Sequence, residues 1–244
     1  MKKYIVLSMI AVAGLAACKK KDTPLPATPE TFYKVKDFTN AATGVAYTYE
    51  YNAQGQLLKE GRSNNLRRNE YAYSTGKVTE SEYSTTGALN LTMEHQLNTD
   101  GLVFKTTYPP TTEYVDRTYN SNKMTTSVVG YYSTGIARTD YFYTGKQLDS
   151  TVSKGTNGAV GLVSKYEYYT DVLNTISDQH QGRQFWGRQS PYAIKKITNI
   201  FYDATGAITN TQVINQAYEK DAQGRIIRVV STGFVNSTYD YTYF

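Results

Sequence analysis

The two histidines are the first residues to examine for chemistry, because imidazole is a common metal ligand and general base. His95 and His180 are the only histidines in 244 residues, and neither has a second histidine, cysteine or acid at the spacing of a metal site. His95 lies within Leu89 to Leu97, where apolar and polar residues alternate strictly, so the pattern favours a packed structural histidine. The sequence therefore predicts no bound metal and no cofactor.

Carboxylates offer the next candidates for catalysis. Glu80 and Glu82 fall on one face of a predicted strand, close enough to imitate the acid pair of a glycosidase. Nothing nearby would raise the pKa of either acid, so a solvated stripe is the favoured interpretation. An enzyme hypothesis is left with three scattered acids: Asp116, Asp140 and Asp171. We therefore predict a protein that is not an enzyme and keep a glycan hydrolase as the alternative.

One unit of sequence recurs along most of the chain and must position these side chains. In Tyr218 to Ile227, an aromatic residue is followed by Asp221, then by Gly224 and then by the apolar start of a strand. Asp221 and Gly224 are the first and fourth residues of a four-residue turn, and an acid and a glycine at these positions are typical of a type I turn. Further copies lie at Tyr51 to Leu57, Leu97 to Leu102 and Tyr202 to Ile208. We expect the turn glycines to adopt positive φ in a structural role, and they are Gly55, Gly101, Gly206 and Gly224.

The spacing of these turns predicts an all-β domain over residues 32–244. One strand plus one tight turn fits each interval, which gives a single antiparallel meander of about 15 strands. A sheet of this size twists and curls, so we expect an open, barrel-like sheet, with a closed barrel or a β-sandwich as the alternative. Tyrosine supplies 24 residues, against 8 phenylalanines and one tryptophan. A face of alternating tyrosines can pack across strands while its hydroxyls reach water or a partner.

The N-terminus predicts export and a lipid anchor. Residues 1–17 have a basic start, a short apolar run and small residues before Cys18, which is the pattern of a secretion signal. Their Leu-Ala-Ala-Cys ending resembles the lipobox of bacterial lipoproteins, which implies a lipidated Cys18. Residues 18–31 hold three prolines and read as a semi-extended tether. Lysine, not aspartate, follows the cysteine, and the resemblance then implies the outer membrane, at its periplasmic face or at the cell surface.

Charge excludes one class of partner. The formal charge of +5 is concentrated in the N-terminal lysines, so the folded part carries a charge of about +1 and shows no basic face for nucleic acid. The only cysteine is Cys18, so no disulfide can form within the chain.

The segment 170–192 interrupts the regular pattern. It is longer than a normal turn, lacks alternation and holds the only tryptophan; such excursions are usually functional or protect the end of a sheet. A short helical turn is expected around Leu173 to Asp178. We predict that aromatic and arginine side chains of this segment contact a ligand, and they are Phe185, Trp186, Tyr192, Arg183 and Arg188. The alternative is that the loop only caps the end of the sheet.

The pattern Tyr-x-Tyr-(Asn/Asp)-x-x-Gly-x-(Leu/Ile) is complete at Tyr49 to Leu57 and recurs in part at Tyr202 to Ile208 and, with Lys220 at the second tyrosine, at Tyr218 to Ile226. It resembles the YD repeat of RHS-type bacterial surface proteins. The whole chain is also similar to lipoproteins that carry a YD-like β-repeat domain. Their late return segment matches Tyr168, Asn174, Gly187, Ser190, Pro191 and Tyr192. The resemblance implies extracytoplasmic β structure and carbohydrate contact without established catalysis. The predicted function is thus a membrane-anchored binding or scaffolding lipoprotein that contacts glycans or a protein partner.

Overall fold

Sixteen antiparallel strands, joined by turns of the predicted kind, account for most of the chain. The structure is a computed structural model that describes residues 32–63 and 67–244. All of them belong to one compact unit, residues 32–244. The predicted signal segment, the tether and Cys18 lie outside the described residues. The strands are β1 (Val35–Asn40), β2 (Ala46–Tyr51), β3 (Leu57–Arg62), β4 (Arg68–Ser74), β5 (Lys77–Tyr83), β6 (Leu89–Leu97), β7 (Val103–Thr107), β8 (Tyr114–Tyr119), β9 (Thr125–Tyr132), β10 (Gly135–Thr144), β11 (Gln147–Lys154), β12 (Val160–Leu173), β13 (Tyr192–Tyr202), β14 (Ile208–Lys220), β15 (Ile226–Gly233) and β16 (Ser237–Tyr243).

The sheet closes into a barrel. Each strand pairs with its neighbours in the sequence, and β1 pairs with both β2 and β16. Val35 lies opposite Tyr243, and Asn40 lies opposite Tyr239. The predicted all-β meander is confirmed, and closure selects the closed-barrel alternative over the open sheet. Closure satisfies the backbone groups that an open sheet would leave unpaired along its two edges.

The repeated turn has the same construction at each full copy. The four glycines have φ between 75° and 84°, a region that a β-carbon disfavours. In the last copy, Asp221 Oδ1 accepts hydrogen bonds from the backbone N–H groups of Gln223 and Arg225, at 3.0 and 2.9 Å. The register then shifts between Glu219 and Lys220, so one extra residue is inserted after the turn. Such a bulge re-aims the apolar residue that follows the glycine.

The apolar residue that follows the turn is buried at one end of the barrel and exposed at the other. All odd-numbered strands begin at one end, and the apolar residues at seven of these starts are at most 1% exposed: Val35, Leu57, Val78, Val103, Met124, Ala193 and Ile226. At the opposite end, the equivalent Leu89 and Ile208 are 56% and 62% exposed. The same local sequence thus meets a packed environment at one end only.

The segment between β12 and β13 supplies that environment. It is shorter than predicted, because Leu173 still pairs with Tyr192 and extends the sheet. The expected helical turn at Leu173 to Asp178 is therefore wrong, and the helical residues are a 3₁₀ turn at Gln184–Trp186. No helix among residues 32–63 and 67–244 has the length and hydropathy needed to cross a membrane.

Candidate functional site

Residues 174–191 cover one end of the barrel and are called the plug below. Backbone N–H groups at the starts of β1, β3 and β15 donate to it: Val35 to His180 O at 3.0 Å, Leu57 to Gly182 O at 3.3 Å and Ile226 to Thr175 Oγ1 at 2.8 Å. On a distant part of the wall, the Leu148 N–H of β11 donates to Ser190 Oγ at 3.0 Å. A segment that bonds strands so widely spaced around a closed barrel must cross its end. The plug also satisfies strand N–H groups that lie beyond the ladders.

The aromatic residues of the plug point into the barrel. Phe185 is 5% exposed, and its ring centroid lies 6.4 Å from that of Tyr71 and 5.9 Å from that of His95. Trp186 makes an edge contact with His95 at 4.9 Å, and the guanidinium of Arg117 lies over its indole at 4.4 Å. These contacts define the inner face of the wall as the face that carries Tyr71, His95 and Arg117.

A partly buried ion pair holds the plug to β3. Arg183 bonds the carboxylate of Glu60, and its Nη1 lies 3.4 Å from Asp178 Oδ1 within the plug. Burial alone would lower the pKa of Arg183, but the negative charge of Glu60 and neighbouring groups raises it above the usual value. Burial raises the pKa of Asp178, against the opposing charge of Arg183. Glu60 is therefore the principal counter-charge of Arg183.

The five predicted ligand contacts are all placed at this end of the barrel, in different environments. Phe185 and Tyr192 are buried, and Trp186 is partly buried against the core. Arg183 is paired with Glu60, and the exposed Arg188 donates its backbone N–H to Lys123 O at 2.8 Å. This arrangement fits the alternative in which the segment caps the end of the sheet. A ligand role for these residues stays a prediction.

Tyrosines at the ends of the even-numbered strands form a ring of hydrogen bonds around the covered end. Each hydroxyl donates to a carbonyl near the start of the preceding strand, at 2.5–2.9 Å. The pairs are Tyr51 with Val35, Tyr73 with Leu57, Tyr119 with Val103, Tyr143 with Thr125, Tyr218 with Ile194 and Tyr243 with Ile226. Burial raises the pKa of Tyr73, Tyr119 and Tyr243 to about 12, so these hydroxyls remain protonated donors near neutral pH.

A hydrogen-bonded network crosses the inner wall beneath the plug. Arg117 Nη1 donates to Thr106 Oγ1 at 2.9 Å, and Thr106 Oγ1 lies 2.9 Å from His95 Nδ1. His95 Nε2 lies 3.2 Å from Glu80 Oε2. Because arginine can only donate, every group is satisfied when the Thr106 hydroxyl donates to Nδ1 and the His95 Nε2–H donates to Glu80. The network thus links Arg117 to Glu80 through Thr106 and His95.

The network corrects the interpretation of Glu80 and Glu82 as a solvated stripe. They are 7% and 9% exposed; Glu80 also accepts from Tyr71 and Asn69, and Glu82 bonds Arg67. The strand alternates as expected, but its acids face inward because the inner wall of this barrel is itself polar. His95, at 1% exposure, matches the expected packed histidine, although its acid partner lies 15 positions away in the sequence.

The remaining candidates for catalysis are not assembled into a site. Asp116, Asp140 and Asp171 lie on three alternate strands, and Asp140 pairs with Arg138 on the outer face. Within the described parts of the chain, no group of three or more histidine, cysteine or acidic residues could hold a metal ion.

The outer face of the wall carries cross-strand ion pairs. Lysine–glutamate pairs join β2 to β3, β5 to β6 and β12 to β13, with N–O distances of 2.8–3.0 Å; they are Lys59–Glu50, Lys77–Glu94 and Lys196–Glu167. Arg228 on β15 lies 2.6 Å from Asp240 on β16. These pairs are exposed, so each adds little stability, but they make the outer wall charged on opposite sides of the barrel.

Comparison with known proteins gives a structural neighbour. The sequence matches no protein-family model and no curated protein. Among solved structures, the fold is similar to that of a porin-like protein from Bacteroides uniformis, with a TM-score of 0.65 and 14% sequence identity. The match covers 88% of this chain and 99% of that chain. This likeness shows the fold alone.

Proposed function

We propose that the protein is a non-catalytic binding protein, held at the outer membrane by a lipid on Cys18, that takes a ligand into its barrel from the end opposite the plug. The observation that carries the proposal is the plug itself. Because residues 174–191 bond the wall on several sides, one end of the barrel is covered. The connections at the opposite end are short, the longest being residues 108–113. A barrel covered at one end has the form of a cup.

The charged outer wall supports attachment by a lipid. A barrel that crosses a membrane presents an outward apolar band flanked by aromatic girdles. Here the outward positions include Lys59, Lys77, Arg138, Lys196 and Arg228, each within 3.0 Å of a carboxylate oxygen on the same face. Burying such pairs in lipid would carry a large desolvation cost. A covalent lipid would hold the protein at the membrane while leaving this wall in water.

The position of the start of β1 supports one orientation of the cup. Strand β1 begins at the covered end, where Tyr33 and Val35 bond His180. A tether that leads into β1 would join the barrel there, so the opposite end would be the one free to receive a ligand. A glycan or a protein segment suits an interior of aromatic rings and hydroxyl donors.

Binding without turnover tests the proposal. Full-length protein, purified in detergent, is titrated with a panel of polysaccharides and envelope proteins while the melting temperature and product release are followed. A ligand should raise the melting temperature by mass action, and chromatography should detect no cleaved product.

A matched pair of variants locates the binding. Tyr141→Ala removes an inner-face ring and should weaken binding, whereas Tyr131→Ala removes an outer-face ring and should leave it unchanged. Product release, or equal effects of the two substitutions, would contradict luminal binding.

A further inference from the structure

Arg117 lies on the inner wall against the plug and Arg183 lies within the plug, and the two arginines differ in their partners. Arg183 has carboxylate partners in Glu60 and Asp178. Arg117 has none within 4.0 Å among the described residues; its polar contact is the Thr106 hydroxyl, and its planar face lies on Trp186. Buried or half-buried charges in folded proteins are normally paired, so the lone guanidinium needs an explanation.

The surroundings of Arg117 are phenolic. Its ionisable neighbours are Tyr119, Tyr108, Tyr141 and Tyr132. Burial raises the pKa of Tyr119 to about 12 and also raises those of Tyr108 and Tyr141, so these three hydroxyls are neutral near pH 7. Burial lowers the pKa of Arg117 itself. The wall therefore desolvates a positive charge without supplying a negative one.

The remaining donors of Arg117 have the geometry for a bound anion. A guanidinium has five N–H donors in a fixed fork that matches a carboxylate; one, on Nη1, goes to Thr106. The nearest inner-wall acid in the network, Glu80, is separated from Arg117 by Thr106 and His95 and is occupied by His95, Tyr71 and Asn69. Arg117 lies on the inner face and is partly exposed, so its exposed part faces the inside of the barrel.

We infer that Arg117 is the binding site for the negatively charged group of an acidic saccharide, with Trp186 beneath the guanidinium and the surrounding tyrosines as stacking and hydroxyl partners. Aromatic faces with phenolic donors suit a sugar ring, which presents C–H groups on its faces and hydroxyls at its edge. The guanidinium adds charge-assisted, bidentate recognition. The inference rests on the proposed function and names the ligand class for that same interior.

The single tryptophan makes the site measurable. Trp186 is the only tryptophan in the chain and lies 4.4 Å from the Arg117 guanidinium carbon, measured to the ring centroid, so a ligand that engages Arg117 should change its fluorescence. Full-length protein in detergent is titrated with three probes: trigalacturonate, a sulfated galactose trimer and neutral galactotriose. Fluorescence and calorimetry give the dissociation constants. The first two probes distinguish a carboxylate from a sulfate ester as the anion, and binding of either probe in preference to galactotriose supports the inference.

Three variants decide the role of Arg117. Arg117→Gln should weaken binding of the anionic probe by at least about 10-fold, because a buried charge partner is lost, and Arg117→Lys should recover only part of it, because the fork is lost. The control is Arg138→Gln, which removes an exposed arginine from the outer face and should change nothing. If Arg117→Gln does not fold, the comparison of Arg117→Lys with Arg138→Gln decides the question.

Each contrary result has a distinct meaning. Equal affinity for galactotriose, or full affinity in the folded Arg117 variants, overturns the anionic site while leaving glycan binding in place. Failure of all three probes, together with binding of another partner from the panel above, overturns the site and leaves the proposed function standing. Failure of every probe and every panel member overturns both.

Discussion

Replacing Phe185 by alanine should destabilise the whole barrel, because the plug is part of the core. Phe185 is 5% exposed and packs on rings from β4, β6 and the plug itself. Truncating a buried phenylalanine to alanine costs about 3–5 kcal/mol, from lost transfer free energy and the cavity that remains. For a chain of this length, each kcal/mol lowers the melting temperature by about 2–4 °C. The expected loss is therefore about 6–20 °C.

A matched control comes from the outer wall. Phe142 lies in β10 with half of its surface exposed (50%), and Phe142→Ala should cost about 1 kcal/mol or less, through strand propensity and cross-strand contacts. Both variants are unfolded in urea and by heat, with far-ultraviolet circular dichroism as the signal. If Phe185→Ala melts within about 2 °C of Phe142→Ala, a difference worth 1 kcal/mol or less, the plug unfolds independently and the assignment of a shared core is wrong.

Three further predictions follow from the plug and the anchor. Gly182→Ala should lower the free energy of unfolding clearly more than Gly76→Ala, as measured by their urea midpoints. Both glycines have positive φ, which costs about 1–2 kcal/mol for an L residue. Only at Gly182 would the new β-carbon meet backbone, 2.8 Å from Leu57 N. Burial lowers the pKa of His180, so the unfolded state takes up a proton first as the pH falls below about 6.5. The free energy of unfolding should be highest above that pH and fall below it. The fall should be smaller in His180→Gln than in the natural protein, and equal slopes of stability against pH would refute this. Cys18→Ala should release the protein from the outer-membrane fraction after a carbonate wash, and retention would exclude the lipid anchor.

The strand and turn organisation was accessible from the sequence because its signals are local. An acid or asparagine at the start of each full copy of the turn and a glycine at its fourth position require a particular backbone, and Gly224 at φ 78° adopts it. Closure of the barrel was not accessible in the same way, since it depends on the pairing of β1 with β16. Nothing in either strand alone indicates a partner about 200 residues away.

The inner-wall network was missed for a related reason. Alternation correctly groups Glu80 with Glu82 on one face of β5, but the usual expectation that acids face solvent assigns that face outward. Their partners His95 and Tyr71 lie on neighbouring strands and Arg67 lies just before β4, so only the folded structure reveals them. The tyrosine ring was more accessible, because a tyrosine precedes most of the repeated turns at the covered end and its hydroxyl reaches back by one hairpin. The sequence predicted the face of tyrosines but not the backbone carbonyls that accept their hydrogen bonds.

The pairing of the first and last strands has a consequence for how the protein is made. While the chain is being synthesised, β1 can pair only with β2, and its other edge stays exposed until residues 237–243 arrive. Exposed strand edges recruit other chains, and such distant contacts form slowly. The chain would therefore pass through a stage in which much of the sheet exists but β1 and β16 are not yet paired. Chaperones that shield strand edges would act on the protein during that interval, and their action would end when Val35 pairs with Tyr243.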